Sequence, residues 1–128
     1  MKYYIAKKIN ATFQEAIDKV TEELKKEGFG IISEIDIQSK LKEKLGVEFR
    51  KYKILGACNP PFAHKALSIE DKIGTMLPCN VIIQEISENE TEVAAINPQV
   101  SMQSVQNQNL EEIAKEVTIR LESAINRL

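Results

Sequence analysis

The sequence predicts an α+β fold, a mainly antiparallel sheet of about five strands with two long helices on one face. Three observations predict it. Apolar residues recur at helical spacing in two long one-sided segments, about 12–27 and about 109–127. Before and between them lie short runs that alternate apolar and polar residues, the period of a half-buried strand. Two of those runs are separated only by Ser87-Glu88-Asn89-Glu90, a polar hairpin turn.

Residues 2–9 alternate, with Tyr3, Ile5 and Ile9 on one face and Tyr4, Ala6 and Lys8 on the other. Asn10 or Thr12 caps the first long helix, whose stripe is Phe13, Ala16, Ile17, Val20 and Leu24, and Gly28 ends it. An isoleucine-rich strand follows at about 30–36. Asp36 then caps a short helix at about 37–45, in which Ile37, Leu41 and Leu45 stack before Gly46. In the third strand, 50–58, Tyr52, Ile54 and Gly56 alternate with Lys53, Leu55 and Ala57.

A second short helix is expected at about 61–73, with Pro61 in its first turn, where a missing N–H costs nothing. It carries Ala63, Ala66 and Leu67, and Ser68 caps a further turn before Gly74. Strands at 79–86 and 91–97 come next, then a polar loop from Pro98 through Gln108. The last helix opens on Asn109 as cap with Glu112 three residues on. Its stripe runs through Leu110, Ile113, Ala114, Val117, Leu121, Ala124, Ile125 and Leu128.

The length, 128 residues, fits a single domain over 1–128, and 43% hydrophobic with 28% charged residues is too apolar for disorder. Basic and acidic side chains number 17 and 19 and intermingle, as in Lys40-Leu41-Lys42-Glu43-Lys44. Nucleic acid is therefore not an expected partner, because displacing counterions from phosphates needs a positive stripe. No segment reaches the roughly 20 apolar residues that span a bilayer, and the N-terminus lacks a signal-like apolar run. No membrane partner is expected. The expected location is cytoplasmic, where free thiols persist.

One stretch departs from scaffolding. Both cysteines, the only histidine and three of the four prolines fall in the 22 residues from Cys58 to Cys79. If strands 50–58 and 79–86 are antiparallel neighbours, Cys58 and Cys79 come to the same end of the sheet. Three readings then stand side by side. Cys58, His64 and Cys79 supply soft ligands to zinc or another transition metal, with a fourth from water or a neighbouring subunit. Alternatively the thiols form a reversible disulfide, or both are small buried hydrophobes. Asn59-Pro60-Pro61 makes a rigid helix start, in which the prolines remove two N–H donors and leave Phe62 onward.

No Gly-rich phosphate loop, G-x-S-x-G elbow or H-E-x-x-H motif occurs. With no catalytic constellation identified, the reading leans away from an enzyme. The favoured function is a binding module. Its pocket lies where Asn59, Pro60, His64, Pro78, Cys79, Asn97 and Met102 converge, at the Asn59-Pro60, Leu77-Pro78 and Asn97-Pro98 end of the sheet, and its ligand is small and anionic. The alternatives are the thiol-dependent metal or redox site and a structural role, with the 98–108 loop and the 59–77 segment packing across a dimer.

Ile54-Leu55-Gly56-Ala57-Cys58-Asn59-Pro60, Leu77-Pro78-Cys79-Asn80-Val81-Ile82-Ile83-Gln84-Glu85, Val93-Ala94-Ala95-Ile96-Asn97-Pro98 and Met102 together resemble the bacterial and archaeal family named domain of unknown function 302. The likeness runs from about Tyr3 to Leu128. It implies a fold like one repeat of the TATA-binding protein: strand, helix, four antiparallel strands, helix. It also implies a homodimer, and it carries no assigned reaction. A shared fold does not transfer DNA binding. Cysteine at both 58 and 79 is not the pattern expected across that family, so thiol chemistry there would belong to a subgroup.

Overall fold

A computed structural model describes residues 1–128. Five strands, β1 (Tyr4–Ile9), β2 (Gly30–Asp36), β3 (Tyr52–Cys58), β4 (Cys79–Ser87) and β5 (Glu90–Ile96), form one sheet in the order β1-β5-β4-β3-β2. Every neighbouring pair is antiparallel. The helices are α1 (Phe13–Lys26), α2 (Ile37–Leu45), α3 (Pro60–Ile69), α4 (Pro98–Ser101) and α5 (Glu111–Asn126).

Both long helices lie on one face. Val20 and Leu24 of α1 and Val117, Leu121 and Ile125 of α5 share a core with Leu55, Val81, Ile83, Val93 and Ala95 of the sheet. These strand residues alternate with outward ones, so the period of two decides which face each helix meets. Thr12, rather than Asn10, caps α1. Its Oγ1 accepts from Glu15 N at 3.2 Å, and Glu15 Oε1 accepts from Thr12 N at 2.9 Å. Asp36 caps α2 as expected, accepting from Ser39 N at 3.0 Å, and Gly46 closes it at φ 68°. At the far end Arg127 pairs with Glu23 at 2.6 Å and with Glu27 at 2.7 Å, tying the end of α5 to α1.

Several expectations need correction. The Ile37, Leu41 and Leu45 stripe buries nothing fully, and Leu45 is exposed, because α2 packs mainly on β3, next to the edge strand β2 and away from the two long helices. Tyr3 lies before β1 and is exposed rather than facing the core with Ile5 and Ile9. The helix at 61–73 is two pieces, α3 and a 3-10 turn at Asp71–Met76. Ser68 does not cap the second piece, since its hydroxyl donates back to His64 O at 2.8 Å. The polar loop from Pro98 contains α4 and a 3-10 turn at Gln103–Val105. The last helix begins at Glu111, after a 3-10 turn that Asn107, not Asn109, caps by accepting from Asn109 N at 3.0 Å.

Candidate apolar cavity at one end of the sheet

The ends of β3 and β5 and the start of β4 lie at the same end of the sheet, so antiparallel pairing gathers the three dipeptides Asn59-Pro60, Leu77-Pro78 and Asn97-Pro98 there. Cys79 pairs in register with Ala57, one residue before Cys58. Gly56 allows the close approach of the β4 entry. A Cβ there would overlap Ser33 Oγ and lie 2.7 Å from Pro78 Cγ. The Leu77–Pro78 peptide is cis.

Beside this junction, between the sheet end, α3 and α5, is a cavity of about 270 Å³. Fourteen of its 16 lining residues are hydrophobic, and none is charged. Phe62, Ala63, Ala66 and Leu67 supply the α3 wall, Ile113, Ala114 and Val117 the α5 wall, and Ala57, Cys58 and Cys79 the strand ends. Ile32 completes the rim for a specific reason. Ile31 pairs with Ala57 and Ser33 with Gly56, so Ile32 is the extra residue of a β-bulge. The bulge turns its side chain out of the alternation, to the mouth, where it is 64% exposed.

The polar groups at this end are few and mostly engaged. Asn59 is 7% exposed and lines the cavity. It stands at the N-cap position of α3 without capping it; instead its Nδ2 donates to Glu27 O at 3.1 Å, across to the end of α1. Its Oδ1 accepts from no protein donor, yet no fully occluded side-chain oxygen or nitrogen in the chain is unpaired, so this oxygen is reachable from outside. Burial, with the nearby Cys58 second, pushes the Cys79 thiol up to about 11. It is therefore a protonated, inert thiol at neutral pH.

Of the residues singled out from sequence, Cys58, Asn59, Pro78, Cys79 and Met102 line this cavity. Pro60 and His64 are exposed on α3 and do not. Asn97 does not either; it is buried, its Oδ1 accepting from Gln99 N and Thr118 Oγ1, both at 3.1 Å. Pro78, Cys79 and Met102 also border a second groove, of about 280 Å³, on the other side of Leu77-Pro78. No three His, Cys, Asp or Glu side chains gather where they could hold a metal ion, so Cys58, His64 and Cys79 are not brought together as a ligand set. Both cysteines are free thiols. Sequence reasoning missed the α5 wall, Phe62 and Ile32. The α5 stripe was visible as core, but nothing in it told which turn would be left short of a packing partner.

Fold and cavity together define a class: a helix-covered antiparallel sheet with an apolar pocket at the end where three X-Pro junctions meet. Residues 5–128 match the model of the family described as domain of unknown function DUF302, and the chain belongs to that family. Among solved structures it is similar to an uncharacterized conserved DUF302 protein from Bacillus stearothermophilus. The two share 27% identity at a TM-score of 0.91, over 99% of this chain and 98% of that one. No curated protein matches the chain. No helix is long and apolar enough to cross a membrane.

Proposed function

We propose that the chain is a binding module for a small, largely apolar molecule held in the cavity between α3, α5 and the ends of β3 and β4. The observation that carries this reading is the cavity's lining: hydrophobic at 14 of 16 positions and open past Ile32 and Leu67. Ligand sites are mostly apolar clefts with a few placed polar groups, and Asn59 Oδ1 is such a group here. Size sets the ligand class. An apolar void of about 150 Å³ accepts benzene. A cavity of about 270 Å³ suits a substituted or fused aromatic ring or a short branched aliphatic group, with a donor aimed at Asn59. The expectation of an anionic ligand is dropped, because no charged side chain lines the cavity and two prolines remove the first helix donors.

The test is titration of the full chain with toluene and indole, followed by amide chemical shifts and thermal unfolding. The expected outcome is saturable shifts at Phe62, Ala66, Ile113 and Val117. The midpoint should rise with ligand as mass action requires, the folded state gaining about 2.7 kcal/mol at a hundredfold excess over Kd. Ala66→Leu, which fills the void, should abolish both. Shifts scattered over the surface, or none, would overturn the reading.

A further inference from the structure

Leu77, Pro78, Cys79 and Met102 line both the apolar cavity and the groove beyond Leu77-Pro78, so a single layer of residues separates the two spaces. The spaces differ in chemistry. The cavity is hydrophobic at 14 of 16 positions, the groove at 5 of 10, and neither has a charged residue. Thr75, Asn80 and Ser101 supply the groove's polar side. Thr75 Oγ1 donates to Lys72 O at 2.9 Å, whereas the Asn80 amide group and the Ser101 hydroxyl bond to no other group of the protein. Three of the four wall residues are held. Cys79 is buried in β4, Pro78 lies close against Gly56, and Leu77 seats on the small core of Ala66, Ile73 and Leu110. Met102 packs on that core too, but it alone of the four also borders a third groove, of about 400 Å³, beside the start of α5. Its backbone is tied, the N–H donating to Pro98 O at 2.9 Å and the carbonyl accepting from Val105 N at 3.1 Å. The side chain is what is left to move, and methionine's three rotatable bonds and polarizable thioether adapt easily to a changed surrounding.

We infer, resting on the apolar-ligand reading above, that Met102 is a movable partition in the binding site and that the ligand is an uncharged amphiphile. Its apolar group fills the cavity, and a short linker carries a hydroxyl or amide end into the groove. With the Met102 side chain swung toward the third groove, cavity and groove join into one channel past Leu77 and Pro78. A small ring such as toluene fills the cavity with the partition in place; a longer molecule displaces it. The groove then reads the far end. Asn80 offers both a donor and an acceptor, and the Ser101 hydroxyl does the same, which suits a hydroxyl or a primary amide. A carboxylate or ammonium would give up hydration and meet no opposite charge in either space, so the lining selects against charged ends. Polar groups placed to pair with one end of a ligand discriminate against the analogue that lacks it.

Amide chemical shifts of the full chain, titrated with toluene, butylbenzene and phenylbutanol bearing its hydroxyl on the terminal carbon, test this. Toluene is expected to move Phe62, Ala66 and Ile113. Phenylbutanol should move these and, with the same midpoint, Thr75, Asn80 and Ser101. Asn80→Ala and Ser101→Ala should each weaken phenylbutanol relative to butylbenzene about fivefold, the worth of one neutral hydrogen bond. Met102→Ile, whose branched side chain is stiff at χ1, should confine the phenylbutanol shifts to the cavity. Should that variant fail to give the native circular dichroism spectrum, Asn80→Ala, at an exposed position, decides in its place. The inference is overturned, with the cavity reading left standing, if toluene saturates the cavity but phenylbutanol leaves Thr75, Asn80 and Ser101 unmoved or moves them with a separate midpoint. It is equally overturned if both Ala variants keep the wild-type preference, or if Met102→Ile keeps the groove shifts. If toluene itself gives no saturable shifts at Phe62 and Ala66, the cavity reading fails first and the amphiphile falls with it.

Discussion

The two Asn-Pro junctions are nearly the same in backbone and opposite in use. Asn59 has φ −106°, ψ 98° and Asn97 has φ −102°, ψ 99°; each is buried, and each precedes a proline that starts a helix. Asn97 uses its whole amide group. Its Oδ1 caps α4 through Gln99 N and takes the Thr118 hydroxyl, while Nδ2 donates to Lys2 O at 3.2 Å. One side chain thus ties β5, α5 and the N-terminal segment. Asn59 uses only its Nδ2, on Glu27 O, and forms part of the wall of an apolar cavity. A capping residue that forgoes its cap gives up the usual benefit of its position. One junction is a closed structural knot; the other puts a partly used amide in the wall of a pocket.

That difference assigns the larger effect on stability to Asn97→Ala. The substitution leaves the buried Thr118 hydroxyl without its acceptor and Lys2 O without its donor, while Gln99 N–H keeps Thr118 Oγ1 at 3.2 Å, and each buried group left unpaired costs about 1–3 kcal/mol. The expected loss is about 2–4 kcal/mol by denaturant unfolding, with α5 amides exchanging faster near Thr118.

Alkaline unfolding probes the dry side of the cavity end. The folded Cys79 thiol, pushed up to about 11 mainly by burial, lies above its unfolded value of about 8.5. The folded state therefore holds this proton longer than the unfolded chain does. Its contribution is complete below about pH 8.5 and is lost as pH rises through 11, by about 3 kcal/mol at the top of that window. Cys79→Ala should flatten this part of the stability profile, whereas Cys58→Ala should keep most of the slope, since desolvation is the larger cause. A profile unchanged by Cys79→Ala would mean that water reaches the strand ends and that the cavity is not apolar in solution.

Asn59→Ala should cost about 1 kcal/mol, because Glu27 O keeps a second donor in Arg120 Nη1 at 3.4 Å and no helix cap is lost. Its functional signature is separate: phenol, which carries a donor for Oδ1, should lose affinity severalfold, and toluene should not. Equal stability losses at 59 and 97 would erase the contrast between the junctions.

The contrast itself was only partly legible in the sequence. Periodicity located both long helices and all five strands, because burying one face imposes a pattern on every residue that faces it. Gly28 and Gly46, at φ 87° and 68°, marked two helix ends by the one property that glycine alone supplies cheaply. Asn59-Pro60 and Asn97-Pro98 pointed correctly to one sheet end, yet as strings they are equivalent. What separates them is tertiary: Thr118 and Lys2 come within reach of Asn97, whereas Asn59 finds Glu27 O, 32 residues earlier. The cavity was illegible for a related reason. A stripe such as Ile113, Ala114 and Val117 looks the same whether the space before it is filled or empty, and a bulge that diverts Ile32 adds no letter to the alphabet of a strand.

His64 carries the smallest expected effect and gives the cleanest test of the thiol reading. Its chemistry drew attention in the sequence because it is the only histidine and lies between the two cysteines. In the fold its side chain is exposed on α3 and makes no hydrogen bond, while its backbone carbonyl accepts from Ser68 Oγ. His64→Ala should change stability by no more than about 0.5 kcal/mol, as surface substitutions do. Toluene and indole should bind as tightly as before. Isothermal titration with Zn²⁺ should give the same small, nonspecific heats for this variant as for the wild type. A stoichiometric zinc site in the wild type, lost in His64→Ala, would instead mean that Cys58, Cys79 and His64 come together in a conformation other than this one, in which the apolar cavity could not be kept between them.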